Sequence, residues 1–384
     1  MDHFSFFCPT YITFGSGVRK DITQALKENA WKRVGLVIDH NLRIQESIFE
    51  LIDSVKDVSD NVVTGWCAVS EPTYDHLEAM RKQYMDQDMH AIIGIGGGSA
   101  IDMAKAMAVL VHNLEPAIQY RGFNKMTEPV LPVIAVPTTA GTGSEVTPNA
   151  SFIDSTEKKK LGINGEAVRP LYAFLDPQFT LSCPKAATIS AGVDSMVHAV
   201  EAFAAKKTNQ LARFFATEGF RRVFYALPKL ITDLGNIELR QEVMYGAFLS
   251  GVALMHSGTG PAAALSYPLS VHFKVPHGLG GGVFLPSVVE HNVRHGYTEY
   301  ASLLDLGISD GVKAAESFLQ EINATWKKLG IPGNLGMLGV KTTDADLIVK
   351  ETMELKGALD QNPVPFYEKE IADTINRLTA ETHD

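Results

Sequence analysis

The sequence predicts two architectures in series: an α/β N-terminal domain built on a mostly parallel sheet over residues 1–182, and an all-helical C-terminal domain over 183–384. Three observations lead there. Strand-like and helix-like stretches alternate through the first half, as in open parallel sheets. One apolar strand, Ala91-Ile-Ile-Gly-Ile-Gly96, runs straight into glycines and then a helical segment. Beyond Lys185 strand-like runs largely vanish and helical periodicity takes over.

In chain order, Phe4–Val18 mixes aromatic and β-branched residues and stops at Gly15 and Gly17, which predicts an extended segment and a turn. Asp21–Asn29 has helical spacing. Arg33–Ile38 is a buried strand ending at Asp39. Residues 41–57 are helical, Val62–Ala68 extended and Tyr74–Gln87 helical. The glycine strand and its helix then run to about Val111. Val130–Val136 is the next strand, Lys159–Ile163 is extended, and Tyr172–Leu175 is short and apolar before Asp176-Pro177. Leu181-Ser-Cys-Pro184 is the expected hinge. Helical periodicity then marks Ala191–Ala205, Gln210–Leu227, Leu239–Met255 and Val312–Leu329.

The densest motif is Gly96-Gly-Gly-Ser99 with Asp102 in the following turn. Glycines here permit positive φ and close approach of a ligand. A helix N-terminus behind them offers unpaired amides to an anion, most naturally a pyrophosphate. Asp39, at the end of an earlier strand, has two readings: a turn or cap residue, or a partner for adenosine ribose hydroxyls. Ligands in open parallel sheets sit outside the strand C-termini, so Asp39 and Gly96–Ser99 are expected on the same edge. The stretch Pro137-Thr-Thr-Ala-Gly-Thr-Gly-Ser-Glu-Val-Thr147 is rich in hydroxyls and glycine and carries one charge, Glu145, which suits a loop wrapping phosphate or ribose.

In the helical half, Asp194 and His198 stand four residues apart and so share a helix face. They read either as half a metal site or as a helix-stabilising pair. His277, between Pro276 and Gly278 on an expected loop, has the constrained setting of a ligand or catalytic base. His256 and His272 read as polar residues on helix flanks, and Lys274 as a solvated charge.

Taken together and in order, Gly-Gly-Gly-Ser99 with Asp102 and Lys105, Pro137–Thr147, Asp194-x-x-x-His198 and Pro276-His-Gly278 identify the chain as similar to the iron-containing, or group III, alcohol dehydrogenases. That resemblance spans essentially the whole chain. It implies a nicotinamide-dependent oxidoreductase that interconverts an alcohol and an aldehyde or ketone by hydride transfer in an interdomain cleft with metal assistance. It implies cofactor contacts at Asp39, Gly97, Gly98, Ser99, Asp102, Thr138, Thr139, Thr142, Ser144, Lys160 and Leu181, and metal ligands at Asp194, His198 and His277. The chain departs from the family pattern at two places: a fourth ligand His is aligned with Ala263, and a second His, near the substrate, is aligned with Tyr267. The ion, Fe(II) or Zn(II), is therefore expected to be weakly held or absent. Proton transfer falls to His277 or Tyr267, whose hydroxyl can donate to an alcohol oxygen. His256 could replace the missing ligand only if Gly258-Thr-Gly260-Pro261 breaks the helix between them.

Composition narrows the partners. With 384 residues and a net charge of −10, the chain fits two domains and lacks the basic balance that a nucleic-acid partner requires. Cys8, Cys67 and Cys183 are too scattered for a disulfide framework or a zinc ribbon, as in a reduced, cytoplasmic protein. No signal-like start and no run of about 18 apolar residues suggests a membrane partner. The expected partners are a small alcohol or carbonyl substrate, NAD rather than NADP because of the Asp39 charge, and a second copy of the chain in a homodimer or higher homo-oligomer. The resemblance leaves two alternatives: a lyase of the dehydroquinate synthase type, and a metal-free descendant that binds only nucleotide.

Overall fold

The computed structural model describes residues 3–68 and 71–380. By internal contact the chain forms two compact units. One comprises Phe7–Pro184 with Gly235–Met244, and the other comprises the N-terminal residues through Phe6, Lys185–Leu234 and Tyr245–Asp384.

The first unit contains strands β1 (Tyr11–Phe14), β2 (Arg33–Asp39), β3 (Asn61–Cys67), β4 (Ala91–Gly96), β5 (Gly122–Phe123), β6 (Val133–Pro137), β7 (Asn149–Asp154), β8 (Lys159–Asn164) and β9 (Tyr172–Leu175). Its helices are α1 (Ile22–Glu28), α2 (Glu46–Lys56), α3 (Tyr74–Arg81) and α4 (Gly98–Leu110). Six strands make one parallel sheet in the order β1-β9-β6-β4-β2-β3. The central strands β4 and β6 are buried throughout, as expected where helices cover both faces of a parallel sheet. Helix α4 is buried almost all round. It lies so close over β4 that a Cβ at Gly94 would come within 2.7 Å of the Ala104 Cβ. Strand order reverses at β2, whose neighbours are β3 and β4. In such sheets the reversal opens a crevice at the strand C-termini.

A second sheet, β5-β8-β7, was not fully legible. Strand β7 escapes the sequence reading because its alternation, with Ala150 and Phe152 turned inward, is short and follows directly on the polar loop. It pairs antiparallel with β8 through a turn in which Lys158 takes φ +53°.

The second unit is helical: α5 (Lys185–Ala204), α6 (Gln210–Leu230), α7 (Ile237–Ser257), α8 (Pro261–Phe273), α9 (His277–Arg294), α10 (Gly311–Leu329), α11 (Ala345–Glu354), α12 (Lys356–Leu359) and α13 (Glu368–Thr379). Helix α7 begins in the Gly235–Met244 stretch of the first unit, whose Arg240 donates to the Cys183 carbonyl at 3.2 Å. Helix α5 starts six residues before its periodicity is evident and packs against both α6 and α9. Gly192 permits the α6 approach, since a Cβ there would lie 2.6 Å from Leu227. No described helix is long and apolar enough to cross a membrane.

Candidate active site

Adjacent strands β2 and β4, paired through Ile38 and Ile95, end in Asp39 and Gly96, so the two motifs meet at the reversal of strand order. A Cβ at Gly96 would lie 2.8 Å from that of Asp39. Of the three glycines only Gly96 takes positive φ, +151°. Gly97 caps α4 at φ −73° and Gly98 begins it, which corrects the expectation that all three supply unusual backbone. Their requirement is space. A Cβ at Gly97 would meet Thr139 Oγ1 at 3.2 Å, and one at Gly98 would meet Thr142 Cγ2 at 2.7 Å. The glycine turn and the Pro137–Thr147 loop are thus in contact, with Ser99 in the first turn of α4 and the Thr138 amide bonded to the Gly96 carbonyl at 2.9 Å. Asp39 Oδ1 accepts from the Asn41 backbone and side-chain nitrogens at 2.9 and 3.1 Å, so it does cap the next turn.

Asp102 and Ser144 sit in this region but are held inside the protein. The Ser144 hydroxyl donates to Asp102 Oδ1 at 2.5 Å and accepts from Lys105 Nζ at 2.9 Å. Asp102 Oδ2 accepts from the Ser151 amide at 2.9 Å. Lys105 is fully buried and also donates to the carbonyls of Thr147 and Asn149 at 3.0 and 2.7 Å. Burial lowers its ammonium to about 8, against the opposing pull of Asp102 and Glu145. Desolvation likewise raises the Glu145 carboxyl. Leu181 lines a cavity of about 290 Å³ with Arg19, Leu42, Gln45, Ile48 and Phe179. Lys160, on β8, pairs with Glu71 at 2.7 Å.

The other cluster lies wholly in the helical unit. Asp194 and His198 project from one face of α5, both buried, with His198 Nε2 3.6 Å from Asp194 Oδ1. His277 Nε2 lies 3.9 Å from the same oxygen. One ligand atom from each of the three falls within 4.8 Å of the others. His277 is the first residue of α9, not part of a loop. Close packing at glycines sets its position: a Cβ at Gly278 would sit 2.1 Å from the Ser190 carbonyl oxygen and 2.7 Å from Asp194 Cβ. Tyr267 on α8 meets the His277 ring edge-on at 5.1 Å.

Residues 258–260 do break the helix between α7 and α8, with Gly258 at φ +87°. His256 nevertheless lies outside the cluster and stacks on Phe6 at 4.1 Å. Ala263 is buried in the first turn of α8. Among the described residues the cluster has three members, one carboxylate and two imidazoles. That donor set suits Fe(II) or Zn(II).

Two residues of this region went unnoticed in the sequence. Glu201 lies on the Asp194–His198 face of α5 and accepts from the amides of Gly260, Ala262 and Ala263 at 2.8, 2.6 and 3.3 Å. It thereby caps α8 with a buried carboxyl that desolvation raises to about 7. Its spacing, seven residues after Asp194, was the available signal. Ser266 bonds His277 and carried no such signal.

This geometry defines a class: an α/β unit with a glycine turn at its strand reversal, joined in one chain to a helical unit carrying a carboxylate–imidazole cluster. Residues 9–177 match the iron-containing alcohol dehydrogenase family, and residues 188–379 match its C-terminal domain. The NAD-dependent methanol dehydrogenase of Bacillus methanolicus is 30% identical over 356 residues, covering 91% of this chain and 93% of that protein. A 1,3-propanediol oxidoreductase structure superposes with TM-score 0.92 at 25% identity, covering 98% of this chain and 100% of that one. The sulfoacetaldehyde reductase of Bifidobacterium kashiwanohense, solved with NAD+, gives 0.90 at 25% identity over all of both chains. The chain belongs to the iron-containing alcohol dehydrogenase family. It is an oxidoreductase that interconverts an alcohol and a carbonyl compound with a nicotinamide cofactor, and the dehydrogenase reading is favoured over the lyase and nucleotide-only alternatives.

Proposed function

We propose that this dehydrogenase uses NAD(H) and a divalent ion held by Asp194, His198 and His277. The observation that carries the proposal is the convergence of three ligand atoms of suitable type within 4.8 Å. It is supported by the His198 Nδ1, buried without a hydrogen-bond partner in a ring whose other nitrogen faces Asp194. When bound, the ion supplies Lewis-acid polarisation of a substrate oxygen and the nicotinamide supplies or accepts the hydride. The chain's own residues do the rest. Amides at the start of α4, with Gly97, Gly98 and Ser99, receive the pyrophosphate, and Thr138, Thr139 and Thr142 close over it. Asp102, Lys105 and Ser144 hold that loop in place. The Asp39 carboxylate faces the ribose and repels a 2′-phosphate, which selects NAD over NADP. Leu181 and its cavity take the adenine end. Tyr267, beside His277, donates or withdraws the hydroxyl proton, so that alcohol and NAD+ give carbonyl, NADH and one proton.

The exposed edge of β1, with Tyr11 at the surface, is the proposed contact of a homodimer, and a reduced, cytoplasmic setting fits three cysteines that form no disulfide. A panel of alcohols with NAD+ tests the reading. Net NADH formation is expected from at least one alcohol, whereas product formed with no net NADH would indicate lyase chemistry.

A further inference from the structure

Ser266, buried at the centre of α8, touches the carboxylate–imidazole cluster through His277 without belonging to it. We propose that Ser266 is a positioning residue that fixes the tautomer and ring orientation of His277, presenting its Nε2 lone pair to a divalent ion. The proposal rests on reading Asp194, His198 and His277 as a metal site.

Ser266 Oγ lies 2.6 Å from the Ala263 carbonyl oxygen and 2.5 Å from His277 Nδ1. A carbonyl can only accept, and a hydroxyl has one proton. With that proton on the Ala263 oxygen, the imidazole must donate Nδ1–H to Ser266. A neutral ring so protonated carries its lone pair on Nε2, the atom 3.9 Å from Asp194 Oδ1.

Packing keeps the hydroxyl in place. Gly280 brings α9 against α8, since a Cβ there would stand 3.1 Å from Ser266 Cβ, and Gly278 presses the same end of α9 onto α5. The two imidazoles of the cluster consequently differ. His277 has its distal nitrogen held, whereas His198 Nδ1 has no hydrogen-bond partner. Partners behind metal-binding histidines orient the ring and raise ligand basicity. Because Ala263 supplies no side-chain ligand, the cluster depends more heavily on correct presentation of its remaining imidazoles.

The test uses the full-length protein stripped of metal, its Ser266→Ala and Ser266→Thr variants, and Zn(II) as the probe. In the wild type, nitrogen NMR of histidine-labelled apoprotein should show His277 as the Nδ1–H tautomer. Competition with a chromophoric chelator should show Ser266→Ala raising the Zn(II) Kd roughly ten- to a hundredfold, with NAD affinity unchanged. Ser266→Thr, which retains the hydroxyl, should restore tight binding. An Nε2–H tautomer in the wild type, or equal Zn(II) affinity in wild type and Ser266→Ala, overturns the proposal. Should Ser266→Ala fail to fold, the wild-type tautomer and the Thr variant decide it. A wild type that binds no Zn(II) removes the metal reading itself, while the tautomer still reports separately on Ser266.

Discussion

The glycine turn at the end of β4 and the carboxylate–imidazole cluster of α5 and α9 solve recognition in opposite ways. At the first, the polar side chains are largely committed to the protein: Asp102, Ser144 and Lys105 bind one another, and what is offered outward is backbone. At the second, side chains converge, and what holds them is glycine packing and buried caps behind the ligands. A side-chain deletion should therefore remove function outright at the cluster. At the glycine turn, adding an atom should do more harm than removing a side chain.

The sharpest break is Asp194→Ala. It leaves two imidazoles without their common carboxylate, and kcat/KM is expected to fall at least about a thousandfold, about 4 kcal/mol of barrier. NAD binding by calorimetry should be unaffected. Next comes Gly98→Val. Its Cβ would meet Thr142 at 2.7 Å and push the two halves of the phosphate site apart. Dinucleotide affinity should fall on the order of a hundredfold, against a Zn(II) affinity that does not move. Unchanged NAD affinity would show that this turn is not the cradle.

Two smaller changes sharpen the contrast. Ala263→His places an imidazole in the first turn of α8, and chelator competition should show the ion held roughly tenfold tighter or more. Lys105 gives the smallest effect. Its folded value, about 8, lies below the ordinary 10.5, so the stability linked to it is present above 10.5 and is lost as pH falls through about 8. Between those limits wild type should gain stability with rising pH relative to Lys105→Met, as read by urea unfolding of both proteins. Parallel curves would mean that Lys105 titrates normally.

This division also explains what could be read from the sequence. Gly-Gly-Gly-Ser99, Asp194-x-x-x-His198 and Pro-His-Gly278 are local patterns, and the local spacing carries most of their geometry. The parallel sheet followed from apolar runs punctuated by turn residues. Lys105 looks like any helical lysine, and only its burial beneath the Thr147 and Asn149 carbonyls reveals its work. Glu201 shares the helix-face spacing of Asp194 and His198, but the amides that give it a role lie at Gly260, Ala262 and Ala263, far along the chain, and Ser266 acts through a single hydroxyl that leaves no periodic trace. The loop expected for His277 between Pro276 and Gly278 is instead the start of a helix. Proline at that point caps α9, with its φ of −54° suited to a helix start.

The central claim is that Asp194, His198 and His277, one carboxylate and two imidazoles, make a working metal site. The direct measurement is turnover and NAD affinity on one sample, before chelation, after exhaustive chelation, and after Fe(II) or Zn(II) is returned. The account predicts an easily stripped ion, loss of turnover with NAD still bound, and recovery on adding metal back. Full activity in protein verified to be metal-free would contradict it and leave proton transfer by Tyr267 to act alone.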